Sequence, residues 1–176
     1  KHGWLRSRSG HNIDPAQLAF RSGDSLLACL PCRTVDHLIL IDTKGRAYSI
    51  PASDIPGGKG DGVPATSLAD FVGGGKLALA HVVSPERIYL VASDGGYGFR
   101  CRGEDFLSRG KAGKAFLTLG DGESPAVFMP APAAGEVACL TRDGRGLVFA
   151  VDEIRLLPRG RGLKLIGVEP GKTALG

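Results

Sequence analysis

Apolar and polar positions along this chain follow a pattern that recurs. The stretches "HLILIDTKGRAYSI" (37–50), "RIYLVASDGGYGFRC" (87–101) and "EVACLTRDGRGLVFAV" (136–151) each place two apolar runs around a short polar segment holding glycine. Runs rich in Leu, Ile, Val, Tyr and Phe, broken by Lys-Gly or Asp-Gly, predict tight β-hairpins with positive-φ residues in the turn. The pattern assigns those turns to Gly45, Gly95 and Gly144. Further apolar runs, "SLLACL" (25–30), "KLALAHVV" (76–83) and "PAVFM" (125–129), stand ahead of the hairpins, and "AFLTL" (115–119) and "LKLIGV" (163–168) follow the second and third. This amounts to about four short strands per ~50 residues, the size of one propeller-type blade.

A second feature keeps the same interval. Lys59-Gly60, Arg109-Gly110 and Arg159-Gly160 each follow an acidic and a bulky apolar residue: Asp54-Ile55, Asp105-Phe106 and Glu153-Ile154. The opening "GWLRSRSGHNIDPAQLAFRSGDS" reads as the second half of another copy, with Gly10 in its turn and Arg21-Ser22-Gly23 as its basic loop. "GVEPGKTALG" (167–176) stops where a further strand set is expected. The expectation is a single all-β domain over 1–176: a propeller-like array with a partial blade at 1–24, repeats at about 25–75, 76–124 and 125–176, and an excerpt from a longer, incomplete array.

Composition agrees with a folded β-domain. With 43% hydrophobic and 23% charged residues the chain has enough apolar material for a core, and its 27 glycines and 11 prolines fall in turns that keep the repeat. No apolar run approaches the ~20 residues that span a bilayer, and no secretory signal pattern opens the chain, so a soluble cytoplasmic protein is expected. The net charge of +4 favours a polyanionic partner. Position says more than the total. Lys59, Arg109, Lys111, Lys114, Arg159, Arg161 and Lys164 belong to one class of loop, with Arg21 in the degraded copy, and a repeat array brings equivalent loops to one rim.

Other motifs fall short. "CLPC" (Cys29 to Cys32) has metal-knuckle spacing, but Cys101 and Cys139 stand alone in different repeats and the histidines are scattered, so no four-ligand zinc set forms. "GVEPGKT" has three residues between its glycines where a phosphate-binding loop needs four. "GGKGDG" lacks the strand-to-helix crossover of a dinucleotide site. No G-x-S-x-G or H-E-x-x-H is present, and nothing argues for catalysis or a resident cofactor. The aromatics fall at strand positions, which disfavours stacking on single-stranded bases and leaves duplex phosphates as the better fit.

The ordered phrases "GWLRSRSGHNID", "DSLLACL", "LILIDTKGRAYSI", "VASDGGYGF", "KAGKAFLTL", "TRDGRGLVF" and "LPRGRGLKLI" together resemble the C-terminal domain of the A subunit of bacterial topoisomerase IV (ParC), the paralogue of the A subunit of DNA gyrase. That resemblance implies a β-pinwheel, a propeller whose outermost strands are exchanged between neighbouring blades, with duplex DNA along a basic rim. It implies a non-catalytic accessory role in decatenation and relaxation during chromosome segregation. The cleavage tyrosine, the ATPase partner (ParE) and the need for ATP and Mg²⁺ would then belong to the rest of an A2B2 enzyme associated with the nucleoid. The gyrase paralogue carries a Q-R-R-G-G-x-G box for wrapping DNA; "FRSGDS" (20–25) and "PGGKGDG" (56–62) lack its Gln-Arg-Arg lead, which implies bending in place of tight wrapping. The competing reading is a propeller-type protein-binding scaffold with no DNA role, in which the basic loops are incidental.

Overall fold

The computed structural model describes residues 3–10, 13–18, 20, 22–23, 25–57, 60–169 and 174–175. Its strands are β1 (Trp4–Leu5), β2 (His37–Asp42), β3 (Arg46–Pro51), β4 (Val63–Pro64), β5 (Leu77–Val83), β6 (Ile88–Ser93), β7 (Tyr97–Arg102), β8 (Lys114–Ala115), β9 (Pro125–Pro130), β10 (Glu136–Thr141), β11 (Gly146–Ala150), β12 (Leu163–Lys164) and β13 (Ala174–Leu175). Helix is confined, among the described residues, to one turn, α1 (Ala65–Leu68), and short 3-10 turns. The fold is all-β, as the hairpin pattern predicts.

Three antiparallel hairpins, β2–β3, β6–β7 and β10–β11, form the frame. In each, a glycine with φ of 76°, 80° or 85° donates its N–H to the carbonyl three residues earlier: Gly45 to Asp42, Gly96 to Ser93 and Gly144 to Thr141. The second turn glycine is therefore Gly96, one residue beyond the Gly95 expected from Asp-Gly spacing. The first half-copy is corrected similarly. Gly3, with φ of 59°, precedes β1 as Gly45 precedes β3, and the expected turn residue Gly10 lies beyond that strand.

The connections follow one rule. After each hairpin the chain reaches back to give a two-residue strand to an earlier strand: β4 to β1, and β8 and β12 to β3 and β7 of the hairpins before them. It then returns to lay a strand against the first strand of its own hairpin: β5 on β2, β9 on β6 and β13 on β10. Among the described residues two four-stranded sheets result, β5-β2-β3-β8 and β9-β6-β7-β12, with a three-stranded β13-β10-β11 and a two-stranded β1-β4. The apolar runs at 76–83 and 125–129 thus pair with the hairpin preceding them in sequence. "SLLACL" at 25–30 forms no strand and is largely exposed, because no described strand lies where β2 and β6 receive β5 and β9.

Stacking of the sheets explains the apolar runs. One face of β2–β3 (Ile39, Ile41, Ala47) meets one face of β6–β7 (Tyr89, Val91, Phe99, Cys101), with Phe106 and Phe116 filling the seam. The Phe106 and Phe116 rings stack at 4.3 Å. The other face of β2–β3 (Leu38, Leu40, Tyr48, Ile50) packs on Ala65 and Ala69, and Leu90 and Ala92 of β6 meet Val137, Cys139 and Phe149 of the third hairpin. Covered on both faces, β2 and β6 read as continuous apolar runs. Along β10 the residues 137–140 are also apolar, but burial alternates, because its outer face, including Leu140, is exposed. Each fully buried aromatic or aliphatic side chain contributes roughly 1.5–3 kcal/mol by leaving water.

Gly45 is where turn and neighbour meet most closely. A Cβ there would lie 1.9 Å from the Leu117 carbonyl oxygen, and the left-handed backbone alone costs a non-glycine residue about 1–2 kcal/mol. Gly45→Ala is therefore expected to lower unfolding stability by at least ~2 kcal/mol in urea titrations. Gly110→Ala, where a Cβ meets nothing within 4 Å, should change it by no more than about 0.5 kcal/mol. Equal losses would refute the close-approach account.

Candidate nucleic-acid interface

Among the described residues, Arg109, Lys111, Arg159 and Arg161 sit on the loops that perform the reach-back, and Lys114 and Lys164 on the short strands those loops enter. Segments 107–113 and 157–162 each leave one hairpin and enter the short strand lent to the previous one, so both loops bridge two sheets; the described residues 60–62 lead into β4 in the same way. The acidic residue ahead of the second and third loops closes the preceding turn: Asp105 Oδ2 accepts the Arg102 N–H at 2.8 Å, and Glu153 Oε1 accepts the Ala150 N–H at 3.1 Å. The apolar residues beside them, Phe106 and Ile154, are fully buried anchors. Each loop ends on a positive-φ glycine, Gly62, Gly113 or Gly162, where a Cβ would come within 2.2, 2.4 or 2.0 Å of a carbonyl oxygen of the neighbouring hairpin.

Backbone contacts hold the loops in place. Ser7 N–H donates to the Pro56 carbonyl, and the Arg46 guanidinium donates to the Ala112 and Gly113 carbonyls at 2.7 and 3.1 Å. Gly160 N–H donates to the Phe116 carbonyl while the Gly160 carbonyl accepts from Thr118 N–H, tying the third loop to the segment that follows the second.

The expected contact residues divide into three groups. Lys59 and Arg21 lie outside the described residues. Arg109 and Arg159 are exposed and make no hydrogen bond or ion pair among the described residues; Lys111 is exposed and donates to the Ser67 carbonyl at 3.3 Å. Lys114, Arg161 and Lys164 are engaged with the protein itself. Lys114 Nζ is half-buried and donates to the Leu107 carbonyl at 3.1 Å, bracing its own loop. Burial holds this ammonium below its ordinary pKa, and the Arg159 charge adds to that while Asp105 opposes it. Lys114 and Lys164 are not equivalent: Lys114 pairs with Ala47 of β3, but the matching position opposite Gly98 of β7 is Leu163, which puts Lys164 on the other face of its strand.

Arg161 lies with its guanidinium 4.0 Å above the Tyr97 ring and donates to Glu123 Oε1 at 2.7 Å. Lys164 Nζ is 5.9 Å from the same ring. Glu123 also accepts the Gly120 N–H at 2.9 Å and the Ser93 hydroxyl at 3.2 Å. Burial pushes this carboxyl's pKa upward, but the Gly120 amide, Arg161 and Ser93 outweigh it and hold the group below its ordinary range. Neither Glu123 nor Tyr97 stood out in the sequence, because neither lies in a basic loop. Next to them an open groove runs past Thr43, Lys44, Asp121, Glu123 and Arg159.

Among the described residues no three His, Cys, Asp or Glu side chains converge as a metal site. Cys29 and Cys32 are exposed, while burial raises the pKa of the Cys101 and Cys139 thiols. No helix among them is long and apolar enough to cross a membrane.

The family model for the DNA gyrase C-terminal domain, beta-propeller, matches residues 36–84, 88–124 and 135–172, one segment for each hairpin and its outgoing loop. The chain belongs to this family. It is 41% identical over 180 residues to the A subunit of DNA topoisomerase 4 from Neisseria gonorrhoeae, a match covering 97% of this chain and 23% of that protein. The Pseudomonas aeruginosa protein of the same name is 37% identical, with the same coverage. The chain thus spans about a quarter of the curated relatives it matches. The solved E. coli ParC C-terminal domain superposes with a TM-score of 0.90 at 30% identity, covering all of this chain and 75% of that one. The fold is therefore the β-pinwheel of the C-terminal domains found in topoisomerase IV and gyrase.

The Glu123 network makes a pH-dependent contribution of known sign. A carboxyl whose folded pKa lies below its unfolded one supplies stability that is complete above the ordinary carboxylate range and is lost as pH falls through the lowered value. In urea unfolding, the deficit of Glu123→Gln relative to the parent should be largest near neutral pH and shrink on acidification. A deficit independent of pH would show that the carboxylate charge is not what the network uses.

Proposed function

We propose that this domain binds and bends duplex DNA as the non-catalytic C-terminal part of the A subunit of a topoisomerase IV, presenting a DNA segment for strand passage in decatenation and relaxation. The observation that carries the reading is the placement of Arg109 and Arg159, exposed and without a hydrogen bond or ion pair among the described residues, on loops that each bridge two sheets. Glycine in these loops lets a phosphate approach the backbone, and Lys and Arg displace condensed counterions without reading bases, so binding would be nearly independent of sequence. A moderate bend costs on the order of 1–6 kcal/mol, so several contacts must act together, and a repeated loop supplies them at intervals. The loops here, "GGKGDG", "SRGKAG" and "PRGRG", lack the Gln-Arg-Arg lead of the gyrase box, which favours bending over wrapping.

In this reading the ATPase partner, ATP, Mg²⁺ and the cleavage chemistry belong to the remainder of an A2B2 heterotetramer acting at the nucleoid in the cytoplasm. This domain contributes DNA contact alone.

Purified protein is expected to shift duplexes of unrelated sequence alike, without cleaving them or hydrolysing ATP. Arg109→Glu with Lys111→Glu should weaken binding and reduce the magnitude of the log K against log salt slope by about 0.9 per lost contact, with an unchanged circular-dichroism spectrum. Lys114, which braces the loop, is left intact so that the variant reports on charge and not on loop order. Parent-level binding by the double variant at every salt concentration would overturn the loop mechanism and favour a protein-binding scaffold.

A further inference from the structure

The second and third bridging loops are not electrostatically equal. Among the described residues, Arg161 of the third loop is the basic loop residue that meets a carboxylate: its guanidinium is clamped between the Tyr97 ring at 4.0 Å and Glu123 Oε1 at 2.7 Å. Glu123 is itself fixed. Its side chain is only 13% exposed, and the Gly120 amide and Ser93 hydroxyl occupy its other oxygen, so it cannot follow Arg161 toward solvent. Gly95 makes the arrangement possible, because a Cβ there would stand 2.1 Å from Glu123 Oε1.

The neighbouring sheet lacks the device. The Thr43 N–H to Lys76 carbonyl bond and the Asp94 N–H to Ser124 carbonyl bond are counterparts, which puts Gly75 where Glu123 stands. The nearby acid of that sheet, Asp42, is buried and accepts from the Tyr48 hydroxyl at 2.8 Å and from the Lys44 and Arg46 amides. No carboxylate among the described residues pairs with Arg109 or Lys111.

We propose that Glu123 is an intramolecular competitor for phosphate, withholding Arg161 so that the third loop is the weaker DNA contact until a backbone phosphate displaces the carboxylate. The inference rests on the DNA-binding reading and refines it. A guanidinium already neutralised by a fixed carboxylate displaces few counterions, and a phosphate drawn to it meets the Glu123 charge as well. The pair therefore sets an affinity threshold at one loop while leaving its neighbour free to bind.

The test is fluorescence anisotropy of a labelled duplex across a salt series, with circular dichroism to confirm folding. Glu123→Gln should tighten binding about eightfold at 0.1 M salt and steepen the salt slope by about 0.9, the signature of one recovered contact. Asp121→Asn, an equal charge change at an exposed neighbour, should fall well short of this. Gly95→Ala, which pushes the carboxylate aside without altering net charge, should tighten binding in the same direction and decides the matter if Glu123→Gln does not fold. Arg161→Ala should cost little in the parent, but should abolish the gain in both backgrounds. Should the parent bind DNA while neither Glu123→Gln nor Gly95→Ala exceeds Asp121→Asn, the competitor role is wrong and the DNA reading stands. Weaker binding by both would make Glu123 a positioning residue for Arg161 and would equally overturn the proposal. Absence of binding by the parent at low salt would remove the DNA reading and this inference with it.

Discussion

Everything in this molecule depends on a two-residue strand being accepted by a hairpin that is not its own. The lent strands β8 and β12 dock with their entering glycines pressed against the carbonyls of Ala47 and Gly98. Such an approach is possible only without a Cβ, so the glycines of the basic loops are first a condition of assembly. Sheet stacking then buries Phe99, Phe106 and Phe116 in the seam. The exposed arginines are presented by loops whose two ends are fixed on different sheets.

That double anchoring gives the basic loops a character unlike that of surface loops in general. An untethered Lys or Arg loses side-chain entropy when it meets a phosphate. Here the backbone is already held by Arg46, Lys114 and the Gly160 amide, so under the proposed DNA-binding function part of the ordering would precede contact with a phosphate. The same packing produces inequality among the loops. Lys114 braces its loop, Arg161 faces Glu123, and Arg109 makes no such contact among the described residues. A charge count over the chain averages these roles away.

Local chemistry made the hairpins, their number and the loop repeat readable from sequence, because Gly-containing turns between β-rich runs are decided within a dozen residues. Two features depend on more than local pattern. Which of the adjacent Gly95 and Gly96 takes the positive-φ turn position is not decided by spacing, and Gly3 and Gly10, both with positive φ, are told apart only by which of them immediately precedes a strand. "KLALAHVV" and "PAVFM" pair with the hairpins before them and not with those that follow, because strand partnership is set by the sheet and not by order along the chain. Glu123 and Tyr97 were invisible for a related reason: they meet Arg161 from residues 38 and 64 positions away, and no local pattern marks either.

The lent strand also imposes an order on events during synthesis. The sheet begun by residues 37–51 has its second edge closed only when residues 114–115 arrive, after the entire following hairpin has been made. The sheet of residues 88–102 waits in the same way for residues 163–164. A nascent chain therefore always trails one open sheet edge behind its newest hairpin, an exposure of the kind that invites strand pairing between chains. Each such edge gains its partner strand only from the next repeat along the chain.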